Sequence, residues 1–507
     1  MNVTNLAPLA EWVHISLTPP SSGDNVADVE RIKRKLQDKF SPLEIPLDII
    51  KKIPSLLRRN NWQFYLLIAD MGTHFKVRDV SPVKRTNFGL AIDLGSTTIA
   101  VYIMNLETGQ EVARTSCLNE QIQFGTDILD RLHYARYKKG LQKLQESVIT
   151  SIKKAVSKLS LENGVSGENI TALTIAGNTS MTHLFLGLET SNIYREPYTP
   201  TVNSPGIISA SEFDLPVHPE AVIYFFPNVG SYLGGDIISG VIATEIHLTD
   251  GMNVLVDIGT NGEIVVGNKE WMVGCAGAAG PALEGGVVKC GMRAAPGAIE
   301  QFHITPEGKI KYKTIGDKPP IGLCGSGLIS CIAQLFLRNI LDHSGTFANN
   351  KDYFVLVPAS ETGHGQDIVI TSDDIANFLR TKSAVNAAFS VLLENLGLSF
   401  EDVSRFYAAG AFGNYLDIED AITIGLFPDI SRDKFKIAGN TSVAGAKKTL
   451  LNRENIKLAE EITKKIAYLE LNADAKFMNY FTSGLFIPHT NLDLFPSVKQ
   501  KVKSFST

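Results

Sequence analysis

The sequence predicts an α/β protein of two similarly built lobes, preceded by a linker and a small α/β unit. Three observations carry that prediction. Residues 89–103, GLAIDLGSTTIAVYI, read as a β-rich run, a tight turn at Asp93-Leu94-Gly95-Ser96-Thr97-Thr98 and a returning β-rich run. Residues 253–267, NVLVDIGTNGEIVVG, repeat that grammar, with Asp257-Ile258-Gly259-Thr260-Asn261-Gly262 at the turn. Each hairpin is then followed by the same tetrad, Gly-Asn-Thr-Ser, at 177–180 and again at 439–442. A repeat this long predicts two lobes, each offering an acidic hairpin to one cleft between them.

The turn residues suit a phosphate site that lacks a Walker lysine. A carboxylate closing a strand can hold a hydrated divalent metal. A glycine lets the backbone approach phosphate, and hydroxyls and turn N–H groups donate to its oxygens. The alternative for one such turn is an ordinary Gly/Ser hairpin, because short motifs recur by chance. The second copy is what favours the phosphate reading.

Taken in order, residues 1–28 lack pattern and include the Pro/Ser/Gly stretch 18–24, an extended linker. Residues 29–85 form a small α/β unit, with helices expected over 26–40 and 47–59 and a strand over 62–69. The basic run 31–35 reads as a solvated helix face. The remainder, 86–507, makes the two lobes, about 86–250 and 251–507. Polar residues at 119–133, among them Asn119, Arg131 and His133, line the cleft or cap a helix through Thr126 or Asp127. A long structural helix is expected over 141–159. The stretch 173–187 reads strand, turn, helix, with His183 packed inside rather than ligating. Gly234-Gly235-Asp236 opens a helix, where Asp236 serves as a cap or as a third carboxylate.

After the second hairpin the chain turns Gly/Ala-rich. Gly325 and Ser326 sit in a Gly-rich turn opening a helix, whose free N–H groups can meet phosphate. Two amphipathic helices are expected at 371–380 and 382–396, and another at 452–467. No role is assigned to the tail 470–507.

Composition bounds the function. The net charge is −5, with 48 basic and 53 acidic residues, which argues against nucleic-acid binding. There is no run of 18 apolar residues and no signal peptide, so a cytoplasmic location without a membrane span is the default expectation. The five cysteines have no cluster spacing, and no iron–sulfur cluster is expected in this chain.

Residues 93–98 and 257–262 resemble the two phosphate motifs of the superfamily of actin, the sugar kinases and the heat-shock chaperones. The stretch Ala408-Ala409-Gly410-Ala411-Phe412-Gly413 is similar to its adenosine motif. The resemblance implies an actin-like ATPase domain of duplicated ribonuclease H-like build. A wider set of stretches resembles the reductive activators of corrinoid proteins. They are 93–98, Asn119 with Gln121, Gly125 with Asp127, 177–181, 257–263, 279–284, 291–293, 322–327, 410–414 and 424–428. Together they cover nearly the whole chain from about residue 15.

That family implies ATP and Mg2+ as cofactors and a corrinoid methyl-carrier protein as partner. ATP binding and hydrolysis drive Co(II) to Co(I). Asp93 and Asp257 serve the metal–phosphate centre as catalytic and metal-binding residues. Gly95, Ser96, Thr97, Thr98, Gly259, Thr260, Asn261, Gly262, Gly325 and Ser326 bind the nucleotide. Glu263 or Asp236 orients the attacking water, and Gly410 and Gly413 lie against the adenosine. A homodimer is the family expectation. Family members usually carry an N-terminal [2Fe–2S] ferredoxin domain, and here the chain begins at the linker. The expectation is a separate low-potential electron donor, a truncated form or a role that has left redox chemistry. Two rival readings of the same superfold are a small-molecule kinase and a nucleotide-gated remodeller of a protein partner.

Overall fold

A computed structural model describes residues 6–259, 261–277, 280–348, 351–410, 416–471 and 474–505. The chain divides into two compact units, Met1–Ala243 with Ser442–Lys464, and Thr244–Thr441 with Lys465–Thr507.

The first unit opens on strand β1 (Ala10–Ser16), helix α1 (Asp28–Leu36), β2 (Leu43–Glu44), α2 (Leu47–Arg59), β3 (Gln63–Asp70) and β4 (Phe75–Ser81). Acidic Asp28 and Glu30 in the first turn of α1, and Lys33, Arg34 and Lys35 in the last, complement the helix dipole. Ile49, Ile53 and Leu57, spaced every four residues, form the stripe that buries α2 on the sheet β1-β3-β4-β2. The strand β1 lies inside the stretch read as patternless. Only Ala10 and Ile15 of it are buried, too few for an alternation to show, and it is held by antiparallel pairing to β3. Arg31, read as solvated, instead binds the linker, donating to Asp24 Oδ2 at 2.5 Å and to Val26 O at 2.9 Å.

There follow β5 (Phe88–Leu94), β6 (Thr98–Asn105), β7 (Glu111–Leu118), α3 (Ile128–Ala135), α4 (Gly140–Glu162), β8 (Ile170–Gly177), α5 (Thr179–Leu186), β9 (Gly206–Ser209), β10 (Val222–Phe225) and α6 (Gly235–Thr244). Strands β5, β6 and β7 form an antiparallel meander. β8 pairs parallel to β5 and β10 parallel to β8, giving the order β7-β6-β5-β8-β10-β9. The core lies between this sheet and the buried faces of α4 and α5.

The second unit contains β11 (Met252–Ile258), β12 (Gly262–Gly267), β13 (Met272–Gly277), β14 (Ala298–Ile304), β15 (Ile310–Thr314), β16 (Gly322–Leu323), α7 (Gly325–Leu337), β17 (Tyr353–Val357), β18 (Ile368–Thr371), α8 (Ser372–Asn395), β19 (Val403–Gly410), α9 (Ile418–Thr423) and β20 (Phe435–Gly439). After β20 come α10 (Thr441–Leu451), α11 (Glu454–Lys465), β21 (Ile466–Tyr468), α12 (Phe477–Gly484) and α13 (Pro496–Phe505). The sheet order is β20-β19-β11-β12-β13-β21. Here too a three-stranded meander is extended by two parallel strands. The expected duplication of a ribonuclease H-like core is therefore present.

Three features depart from the sequence reading. The two tetrads are not equivalent. The first follows β8, the strand beside the hairpin, whereas the second follows β20, one strand further out. Ser442–Lys464, expected with the second lobe, belongs to the first unit, where Ser239 Oγ donates to Ser442 O at 2.6 Å and Thr174 Oγ1 to Ala446 O at 2.9 Å. The two helices expected over 371–396 are one, α8, opened by a reciprocal capping box between Thr371 and Asp374. The polar residues at 381–386 do not interrupt it. They are buried and satisfied instead, with Lys382 Nζ donating to Phe486 O at 2.5 Å and Pro488 O at 2.6 Å, and Asn386 Nδ2 to Gly425 O at 3.2 Å.

One half-buried acid makes stability depend on pH. Burial, with Asp417 beside it, pushes the Asp420 carboxyl up to about 7, against weaker lowering by Ser330, Gln334 and Lys501. Below the ordinary carboxylate range the group is protonated folded and unfolded, and costs nothing. Between that range and pH 7 the unfolded chain ionises while the folded one does not, so stability falls as pH rises. Asp420→Asn removes this penalty. Chemical denaturation should show the variant about 2 to 4 kcal/mol more stable at pH 8 and about the same as wild type at pH 3. An equal effect at both pH values would show that the carboxyl is not the cause.

Among the described residues no helix is long and apolar enough to cross a membrane.

Candidate functional site

The first candidate site lies at the carboxyl ends of parallel strands β5 and β8, the edge where open α/β sheets place their ligands. Asp93 is the penultimate residue of β5, in register with Ala100 on β6 and Ala176 on β8. Its Oδ1 accepts from Ser442 Oγ at 2.9 Å. The turn beyond it is tight: a Cβ on Gly95 would sit 2.3 Å from Thr98 O, so only glycine fits. Ser96 and Thr97 complete the turn and Thr98 begins β6.

Asp236 reaches the same edge from the first turn of α6. Gly234 before it packs so closely on Asn178 that a Cβ would lie 2.3 Å from Asn178 Cα. Asn178 itself caps α5, accepting from Met181 N at 2.9 Å. Burial pushes the Asp236 carboxyl up to about 7 and the nearby Asp93 charge adds to this, while the Ile237 amide, 2.9 Å from Oδ1, opposes it. The structure thus places Asp93 and Asp236 close enough for their charges to interact. A carboxyl raised in this way can accept a proton near neutral pH.

The second candidate site repeats the arrangement in the second unit. Asp257 on β11 stands directly opposite Glu263 on β12, so both carboxylates project from one face of the hairpin. Asp257 Oδ2 lies 3.4 Å from Thr441 Oγ1. Gly259 N donates to Asn261 O at 2.9 Å across the turn, and Gly262 begins β12. Gly410 ends β19 in register with Ile258. Its φ of 113° and the 2.2 Å that a Cβ would leave to Ile258 O both require glycine. Thr260 and Gly413 lie outside the described residues, as do Ala411 and Phe412 of the adenosine motif. Gly325 and Ser326 open α7 behind the Cys324 cap. They are buried, with Ser326 Oγ 3.3 Å from Cys324 Sγ and the helix start pressed on β14.

The partners Ser442 and Thr441 were not singled out by the sequence reading. The repeated tetrad was the available signal, and its role needed the fold. His183 is packed as expected. Burial lowers its basicity, its Nδ1 lies 2.7 Å from Thr179 O, and its Nε2 accepts from Thr201 N at 3.0 Å. The cysteines Cys275, Cys324 and Cys331 are buried, and burial pushes the Cys275 and Cys331 thiols well up, as for small apolar groups.

Mg2+ takes one or two carboxylates and completes its shell with water and substrate phosphate. Asp93, with a hydroxyl at 2.9 Å and a second carboxyl nearby, is such a donor set. A protein-only cluster of three or more His, Cys, Asp or Glu is absent among the described residues, and this kind of site does not call for one.

Comparison with known proteins matches the chain along almost its whole length. Residues 2–87 match the RACo linker region, residues 88–249 the RACo middle region, and residues 251–499 the C-terminal domain of RACo, the ASKHA domain. The chain is 31% identical over 413 residues to the corrinoid activation enzyme RamQ of Eubacterium limosum, covering 78% of this chain and 69% of that one. It is 24% identical over 432 residues to the Co(II) methylated amine-specific corrinoid protein reductase of Methanosarcina barkeri, covering 78% and 76%. A solved structure, a reductive activator for corrinoid, iron-sulfur protein, is 40% identical with a TM-score of 0.94 over 98% of this chain and 82% of that one.

Proposed function

The chain belongs to the reductive activators of corrinoid proteins, and from that premise we propose that it uses its Asp93 and Asp257 hairpins to hold and hydrolyse ATP while a partner's corrinoid is reduced. Its activity is the return of a corrinoid protein from inactive Co(II) to Co(I). That step takes one electron per cobalt, and nothing in ATP can supply it. The electron comes from a separate low-potential donor, and ATP supplies the driving force.

One observation carries the nucleotide half of this reading. Each duplicated hairpin ends in a carboxylate that accepts from a hydroxyl of the second tetrad, Ser442 for Asp93 and Thr441 for Asp257. The peptide between those two hydroxyl residues is one of the three points at which the chain passes from one unit to the other. Asp93 and Asp257 would hold Mg2+, which when bound neutralises charge on the phosphates. The turn N–H groups and hydroxyls at 95–98, with Gly259, Thr260, Asn261 and Gly262, orient the phosphates. Asp236 or Glu263 takes the proton of the attacking water. Gly410 and Gly413 leave room for adenosine, and Gly325 with Ser326 adds helix N–H groups. Replacing triphosphate by diphosphate changes the ligands of both hydroxyl-bound carboxylates, and this biases the protein between two states. The expected setting is the cytoplasm. The family also implies a homodimer, which sedimentation of the purified protein tests.

The deciding assay mixes the purified protein with a Co(II)-state corrinoid carrier, Mg-ATP and a soluble low-potential reductant, and follows the visible spectrum. Co(I) should form with ATP and not without it. ATP hydrolysis with no Co(I) would move the reading to a kinase, for which a polyol stimulates turnover, or to a remodeller without redox chemistry.

A further inference from the structure

Three consecutive carbonyls of the turn after Asp93 are tied by Asn119 and Arg131. Gly95 O accepts from Asn119 Nδ2 at 3.1 Å, Ser96 O from Arg131 Nη1 at 2.5 Å, and Thr97 O from Asn119 N at 3.0 Å. Arg131 sits on α3 and is 0% exposed, the largest fully buried side chain among the described residues. Its Nε donates to Gly125 O at 2.9 Å, and Thr126 O lies 3.5 Å from Nη2.

All of these acceptors are backbone carbonyls. Among the described residues no carboxylate pairs with the guanidinium, although Asp127 and Asp130 lie near enough to be felt. Burying a cation without a counterion is costly. Helix capping does not account for it, because Asp127 already caps α3 by accepting from Asp130 N at 2.9 Å. What the guanidinium does is join two segments, the turn at 95–97 and the loop at 125–126, with a planar fork that a lysine cannot reproduce.

The consequence is local and chemical. Carbonyls held in place fix the peptide planes of the turn, and with them the directions of its N–H groups. The guanidinium behind the turn adds a full positive charge at a depth where water screens little. We propose that Arg131 is the positioning residue of the phosphate loop, shaping the turn for a nucleotide polyphosphate and holding positive charge behind it. The inference rests on reading residues 93–98 as the phosphate loop.

The test is calorimetric titration of wild type, Arg131→Gln, Arg131→Lys and Asp93→Asn with Mg-ATP, Mg-ADP and adenosine. Arg131→Gln should bind Mg-ATP and Mg-ADP about tenfold more weakly and adenosine within about twofold of wild type. Arg131→Lys, which keeps the charge and loses the fork, should fall between. Equal weakening for all three ligands would mark Arg131 as merely structural and overturn the proposal, as would unchanged affinity for Mg-ATP. If Arg131→Gln does not fold, Arg131→Lys decides by the same comparison. Asp93→Asn separates the two levels. If it stops ATP hydrolysis while Arg131→Gln binds as wild type, Arg131 is misassigned and the loop stands. If Asp93→Asn hydrolyses ATP normally, the loop reading has failed and takes this proposal with it.

Discussion

Asp93→Ala and Asp257→Ala each lower Mg-ATP turnover by at least about a hundredfold, with the fold intact by circular dichroism. The two carboxylates stand at matching positions of two duplicated hairpins, and each is oriented by a hydroxyl, Ser442 at 2.9 Å and Thr441 at 3.4 Å. On the proposed reading, loss of the oriented carboxylate would remove the charge that holds the metal against the phosphates. Loss of the hydroxyl only lets the carboxylate rotate, so Ser442→Ala should cost less than Asp93→Ala in the same assay. Steady-state phosphate release measures both. Normal turnover in both aspartate variants would remove the hairpins from the chemistry altogether.

Gly445→Ala destabilises the first unit by about 3 kcal/mol, an overpacking penalty at the upper end of the usual range. A Cβ at Gly445 would lie 1.9 Å from Ser239 O and 2.5 Å from Ser239 Oγ. The obstacle is the backbone of α6, not the end of a flexible side chain, so α6 and α10 must part. Their separation also breaks the 2.6 Å bond from Ser239 Oγ to Ser442 O and loosens the residue that orients Asp93. Urea denaturation reads the stability. Gly23→Ala is the control, because nothing lies within 4 Å of its added methyl, and it should stay within about 0.5 kcal/mol of wild type. Matching unfolding curves for Gly445→Ala and wild type would show that the two helices can yield at their crossing.

The elements visible in the sequence are those whose signal is local. The helix α2 falls on its expected span because Ile49, Ile53 and Leu57 mark one face within 13 residues. The two hairpins were legible because an acidic residue, a glycine and a hydroxyl recur at fixed spacing between β-rich runs. The strand β1 was not, because its pairing with β3 across some fifty residues, and not its own alternation, makes it a strand. The single helix α8 was hidden for a related reason. Lys382, Ser383 and Asn386 look like a polar interruption until backbone carbonyls at Phe481, Phe486, Pro488 and Gly425 are there to receive them.

By itself the sequence determined the α/β duplication, the acidic hairpins and the family to which they belong. Each of these is a pattern of side chains along one short stretch, or a comparison of one stretch with another. Only the tertiary structure decided what the second tetrad does, which unit α10 joins and why Arg131 is buried. Ser442 meets Asp93 across 349 residues of chain and Arg131 meets Ser96 across 35. Contacts at such separations leave no periodicity behind, because the geometry of the folded sheet, not the spacing of the chain, selects the partners.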